Sequence, residues 1–244
     1  MAADFSAPSS GAGQPRICAH VLARPGASRA VSIEAAITSN TILLVGSAPS
    51  FAHSVADPIE ELGRIAESHR IPLHVDACVG GFLLPYFERL GRGVGPFDFR
   101  VPGVRSISMD LHKYAFCPKG ASLVLFRDRA YRKHHLFACA QWTGYSIVNT
   151  AVQSSKTGGP LAAAWAVLHH VGDDGYLELS RHLIEATDRL IAGIEAIEGL
   201  RVIANPEFSM AAFTTDAPDG AGIFHILDEM KERGWYLQPQ LSYP

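Results

Sequence analysis

Two short apolar runs, Thr41–Val45 and Pro72–Val75, flank one amphipathic stretch, and that arrangement restricts the fold more than any other feature of the chain. Each run is too short for a stable helix and is bounded by turn residues, so each reads as a buried strand. The stretch between them carries the marks of a helix start, with Asp57 as N-cap, Pro58 at the first helical position and Glu60 completing a capping box. Ile59, Leu62, Ile65 and Ala66 then fall on one apolar stripe. Strand, crossover helix and strand make a βαβ unit, which implies a parallel sheet with its ligand site beyond the strands' C-terminal ends. Asp76 stands at such an end.

The same pattern continues downstream. Val104–Met109 reads as a third strand ending at Asp110, and Ala121–Phe126 as a fourth, with the polar loop 112–120 between them. From Gly158 to Gly172 the sequence is helical, with Leu161, Ala164, Trp165 and Leu168 on one face, and a long helix runs from Tyr176 to Ile197. Beyond Gly199, strands at 201–204 and 210–214 and a helix over 222–233 ending at Gly234 suggest the beginning of a small α+β domain. Residues 1–30, rich in Ala, Gly, Ser and Pro, read as an irregular leader. The expected division is therefore a leader over 1–30, a partial large domain over 31–198 and a partial C-terminal domain over 199–244.

Composition narrows the function classes. A net charge of -3 without a basic cluster argues against a nucleic-acid partner. The four cysteines lie far apart with no CxxC pair, so no zinc site, disulfide framework or other metal centre is signalled, and a reducing compartment is expected. Neither a signal peptide nor an apolar run of about 18 residues is present, which points to a chain without a transmembrane segment.

The chemistry concentrates in two stretches, His74-Val75-Asp76-Ala77 and Ser106-Ile107-Ser108-Met109-Asp110-Leu111-His112-Lys113-Tyr114, the second followed by Pro118-Lys119-Gly120. A lysine just past a buried strand, where desolvation and cationic neighbours can lower its pKa, suits Schiff-base formation, because only the neutral amine attacks a carbonyl. Lys113 holds that position, with His112 beside it and Lys119 nearby. A carboxylate at a strand end can keep a pyridine nitrogen protonated, which makes the ring of pyridoxal 5'-phosphate an electron sink. Asp76 is the candidate for that partner, and a helix N-cap before Gly80 is its plainer alternative.

The run HVDACVGGFLLPYFERLG at 74–91 and the run PFDFRVPGVRSISMDLHKYAFCPKGASLVLFRD at 96–128 resemble the sphingosine 1-phosphate lyases, a branch of the pyridoxal-phosphate-dependent group II decarboxylase family. The likeness extends from about Val31 to about Pro239. It implies an α/β fold of the aspartate aminotransferase-like type (fold type I), with a mostly parallel sheet in the large domain and a partial α+β C-terminal domain. It further implies that Lys113 binds the cofactor covalently, that Asp76 pairs with the ring nitrogen, that Ala77 packs near the ring and that His112 stands by the cofactor phosphate. Lys119 matches a lysine that binds the substrate's phosphate, and His53, in the loop Ser47-Ala48-Pro49-Ser50-Phe51-Ala52-His53, matches a histidine near the substrate. The implied reaction is retro-aldol cleavage of a phosphorylated sphingoid base to a long-chain aldehyde and phosphoethanolamine. A homodimer is implied as well. Eukaryotic relatives are held at the endoplasmic reticulum by an N-terminal membrane segment, and no such segment is read here, so a cytoplasmic location is expected.

Two departures accompany the likeness. The family's upstream Gly/Ser/Thr turn for the cofactor phosphate and its ring-stacking histidine have no counterpart here, as expected for a chain truncated relative to the family at both ends. In the segment 142–159, Ile147, Asn149, Thr150, Lys156 and Thr157 fall on the family's tyrosine, serine, proline, arginine and second proline, which leaves only a contact by Lys156 to carry over. The alternatives are an amino acid decarboxylase of the same family and an inactive remnant acting as a binding module.

Overall fold

Leu44, Leu73, Val75 and Val104, the branched centres of the expected strands, are shut away from water, and the sheet they form is the core of the molecule. The structure is a computed structural model that describes residues 16–19, 33–150, 155–217 and 222–240. Its main sheet has five strands in the order β1 (Arg16–Ala19), β2 (Thr41–Ser47), β3 (Leu73–Asp76), β4 (Val104–Asp110) and β5 (Ser122–Phe126). The first four run parallel and β5 returns antiparallel to β4. A mostly parallel sheet is thus what the βαβ pattern specified. β1 is the exception to the sequence reading, because it lies inside the stretch marked as irregular. Four residues carry too little periodicity to announce a strand, and pairing with β2 is what makes them one. The remainder of 1–30 lies outside the described residues.

Helix α1 (Ile59–His69) buries the stripe Ile59, Leu62, Ile65 and Ala66 against this sheet, together with Gly63. Gly63 is there for closeness: a Cβ on Gly103 would come 2.3 Å from the Gly63 carbonyl oxygen, so two glycines let the helix reach the start of β4. The capping expectation needs correction. Pro58 occupies the N-cap without a side-chain bond, and Asp57 Oδ2 instead accepts from the Ser47 N–H at 2.7 Å, where it fastens the end of β2. Glu60 and Glu61 in the first turn complement the helix dipole.

Past β3, α2 (Leu84–Arg89) buries Leu84 and Phe87. Past β5, α3 (Arg129–Arg132) is capped by Asp128, whose carboxylate accepts from the N–H groups of Ala130 and Tyr131. A small hairpin, β6 (Phe137–Cys139) with β7 (Ile147–Asn149), follows. The long helix α4 (Gly159–Glu195) breaks at Gly172, whose φ of 65° and ψ of 178° only glycine adopts readily, so the two helices read from sequence meet at a kink. Its first half does not bury the whole expected face. Ala164 is buried and Leu168 is packed inward, whereas Leu161 and Trp165 are 71% and 63% exposed, because the contact takes only one side of the apolar arc.

The C-terminal residues form β8 (Leu200–Ile203), β9 (Ala212–Thr215) and α5 (Ile223–Glu232). Their connecting segment docks on the sheet. Phe208 is buried between the rings of Phe87 and Tyr114, and the Glu207 N–H donates to the Ser54 carbonyl at 2.7 Å. None of the helices among the described residues is long and apolar enough to cross a membrane.

Candidate active site

The alternation of a strand puts every second side chain on one face. On β3 that places His74 with Asp76, and on β4 it places Ser106 with Ser108 and Asp110. The parallel register sets His74 against Ser106 and Asp76 against Ser108. Side-chain bonds follow this ladder. Ser108 Oγ donates to Asp76 Oδ1 at 3.1 Å, His74 Nε2 lies 3.3 Å from Ser108 Oγ, and His74 Nδ1 lies 2.8 Å from Ser106 Oγ. The Cys78 N–H also donates to Asp76 Oδ1, at 3.1 Å, and the Cys78 thiol donates to Ser108 Oγ at 3.3 Å.

Burial by itself would raise the Asp76 carboxyl, but the bonds from Cys78 and Ser108 and the nearby imidazole outweigh it and hold Asp76 below the usual carboxylate range. Burial pushes His74 below the ordinary imidazole value, against the pull of Asp76, which favours the neutral ring. It also pushes the Cys78 thiol up to about 11, aided by Asp76.

Lys113 sits in the loop after β4. Its Nζ lies 2.9 Å from Asp110 Oδ2, so its nearest charged partner is an anion and not the cationic neighbours read from the sequence. Burial works to raise Asp110 as well, yet bonds from Ser122 and Lys113 and the charges of Lys113 and His112 keep it depressed. His112 Nδ1 donates to the Ala121 carbonyl at 3.0 Å, and its Nε2 lies 3.7 Å from Asp110 Oδ2. The loop is pinned from below by α4: the buried Tyr176 hydroxyl donates to the Ala115 carbonyl at 2.8 Å. Burial lifts Tyr176 to about 12, so it remains a donor throughout the ordinary pH range.

The two halves meet through the backbone. The Asp110 N–H donates to the Cys78 carbonyl at 3.3 Å, and the Ala77 N–H donates to the Ser108 carbonyl at 3.0 Å. Lys113 and Asp76 therefore open on the same edge of the sheet, past the C-terminal ends of two adjacent parallel strands, where ligands of open α/β sheets bind.

The other expected residues are placed differently. Ala77 is wholly buried, and a Cβ on Gly81 would lie 3.0 Å from its methyl, so within this chain it supports the turn and shows no surface to a ring. His53 is 2% exposed rather than open in its loop. Lys119 and Lys156 are exposed, and among the described residues no hydrogen bond or ion pair joins either to the Lys113 cluster. The sequence reading missed His74, Ser106, Ser108 and Tyr176 as supports of the site. The first three were recoverable from the alternation H-x-D beside S-x-S-x-D, whereas Tyr176 lies 61 residues from its acceptor and has no local signal.

The family model for the pyridoxal-dependent decarboxylase conserved domain matches residues 27–216. A sphingosine-1-phosphate lyase of Oryza sativa subsp. japonica is 46% identical over 201 residues, which are 82% of this chain and 37% of that protein. Sphingosine-1-phosphate lyase 1 of Rattus norvegicus is 40% identical over 211 residues, 85% of this chain and 37% of the rat protein. Among solved structures, the sphingosine-1-phosphate lyase of Burkholderia pseudomallei K96243 superposes with a TM-score of 0.82 at 39% identity, covering 86% of this chain and 47% of that one. Glutamate decarboxylase of Lactobacillus brevis, at 22% identity and a TM-score of 0.72 over 86% of this chain and 49% of its own, shares the fold. The chain thus spans little more than a third of the length of these curated relatives. With the family model covering most of its residues and relatives at 40–46% identity, the chain belongs to the pyridoxal-dependent decarboxylase family.

Proposed function

We propose that this chain carries the Lys113 and Asp76 part of the active centre of a pyridoxal-phosphate-dependent carbon-carbon lyase that cleaves phosphorylated sphingoid bases. The observation that carries the reading is an amine and an ionised carboxylate on the same sheet edge, at the ends of neighbouring parallel strands. That donor set fits the cofactor: an aldehyde needs the amine, and a protonated pyridine nitrogen needs a carboxylate that stays charged. Bound there, pyridoxal 5'-phosphate supplies an electron sink for the electron pair left when the carbon-carbon bond breaks.

The chain's own residues orient and place charge. Asp76 holds the proton on the ring nitrogen. Asp110 aims the Lys113 amine, and His112, fixed by the Ala121 carbonyl, sits where a phosphate passes. Lys119, exposed in the same loop, takes the substrate's phosphate, and His53, buried in the loop after β2, bears on substrate placement only through the shape of that loop. Ala77, wholly buried, supports the turn after Asp76 from behind. A homodimer, carried by the resemblance to the lyases, and a cytoplasmic location, favoured by helices none of which is long and apolar enough among the described residues to cross a membrane, complete the proposal. An amino acid decarboxylase is the second reading, favoured by the fold shared with glutamate decarboxylase.

The test is covalent capture. The chain incubated with pyridoxal phosphate and reduced with borohydride is expected to carry the label on Lys113, and Lys113→Ala to carry none. Equal labelling of the two, or none in either, overturns the enzyme reading and leaves a binding module. Product analysis then separates the chemistries: a long-chain aldehyde from a phosphorylated sphingoid base supports the lyase, and carbon dioxide from an amino acid overturns it.

A further inference from the structure

The hydroxyl of Ser108 has one proton and three neighbours: Asp76 Oδ1 at 3.1 Å, His74 Nε2 at 3.3 Å and the Cys78 thiol at 3.3 Å. An ionised carboxylate accepts only, so the Ser108 proton goes to Asp76. Ser108 Oγ must then accept from the other two, which requires His74 to carry its proton on Nε2. The Nδ1 atom is left as an acceptor, and Ser106 Oγ, 2.8 Å away, supplies the donor. The placements run toward Asp76, whose carboxylate also lies within reach of the Cys78 thiol. The downward shift of His74 and the upward shift of Cys78, both set mainly by burial, favour the neutral ring and intact thiol that this assignment uses. The bonds to the carboxylate from Ser108 Oγ and from the Cys78 N–H both fall on Oδ1. They fix its plane and leave Oδ2 as the oxygen that neither uses.

We propose that Ser108 and His74 are positioning residues for Asp76: the chain Ser106 to His74 to Ser108 locks Oδ1 and reserves Oδ2 for a cationic ring nitrogen. The inference rests on the reading of Asp76 given above and deepens it. Both residues act through Asp76 and touch no reacting atom. The arrangement depends on the β3–β4 register, since a slip of one residue would turn the serines to the other face of the sheet.

Two measurements test it, one of which needs no cofactor. The first follows the Asp76 carboxyl carbon by ¹³C NMR through an acid titration of the unloaded chain, with the signal assigned from Asp76→Asn. Ser108→Ala is expected to raise the midpoint, Ser108→Thr to restore it, and His74→Phe to raise it less. The second follows the ring nitrogen of ¹⁵N-labelled pyridoxal phosphate in the loaded chain. There, Ser108→Ala is expected to shift the signal toward the unprotonated form and to weaken capture about tenfold, the effect of one lost hydrogen bond to a charge. An unchanged midpoint in both Ser108→Ala and His74→Phe overturns the proposal, as does failure of Ser108→Thr to restore it in a protein melting at the wild-type temperature. The two readings separate cleanly. If the midpoint moves but wild type captures no cofactor, the hydrogen-bonded chain stands and the lyase reading falls. If wild type captures the cofactor and neither signal moves, the reverse holds.

Discussion

Tyr176 shows how much of a site lies in residues that never meet the substrate. Its hydroxyl holds the Ala115 carbonyl, two residues past Lys113, and its ring lies edge-on to Phe82 at 4.8 Å in the packing beneath the loop. Tyr176→Phe keeps the ring and removes the donor, which leaves a buried carbonyl with, among the described residues, the Cys117 thiol at 3.5 Å as its remaining side-chain donor. The expected result is a loss of about 1–3 kcal/mol in urea unfolding, together with weaker covalent capture at Lys113, because the loop that carries the amine loses its anchor. Unchanged stability and capture would contradict that role. The place of Asp76 was legible from sequence because it stands directly after an apolar run, where a strand must end, and that of Lys113 because it follows in the polar loop after the next strand. The buried state of His53 and Ala77 was not, since burial is set by what folds over them.

At the scale of elements, the sheet and α1 were readable because their periods of 2 and 3.6 are local properties of the chain. Features that depend on a neighbour were not: β1, the exposed half of the α4 stripe, and the use of Asp57 to tie β2 in place of capping α1. The contact between α1 and β4 is of the same kind. A methyl on Gly103 would press on the Gly63 backbone and not on a side chain that can turn away. Gly103→Ala is therefore expected to destabilise by at least about 1–3 kcal/mol, read as a lower urea midpoint at unchanged slope. A neutral outcome would mean that the helix can lift off the sheet without penalty.

For the whole molecule, the groups that define the site also shape its response to acid. The folded state keeps His74 below its ordinary value of 6.5, so below that pH the unfolded chain takes up a proton that the folded chain resists, and stability falls. Asp76 and Asp110 are depressed from 3.8, so their contribution is present above that value and is lost as pH drops through their folded values. Urea midpoints measured from pH 8 to pH 3 should show a two-step decline, with His74→Gln removing part of the upper step and Asp110→Asn flattening the lower. A wild-type curve that is flat between pH 7 and pH 5 would refute the first step. The sequence alone determined the parallel sheet, the strand ends and the place of Asp76 at one of them, because apolar period and turn chemistry act over a few residues. Only the tertiary structure decided which hydroxyls and imidazole stand behind Asp76, which distant tyrosine holds the lysine loop and which apolar side chains remain in water. Those outcomes depend on strand register and on contacts between segments dozens of residues apart, and no local pattern encodes them.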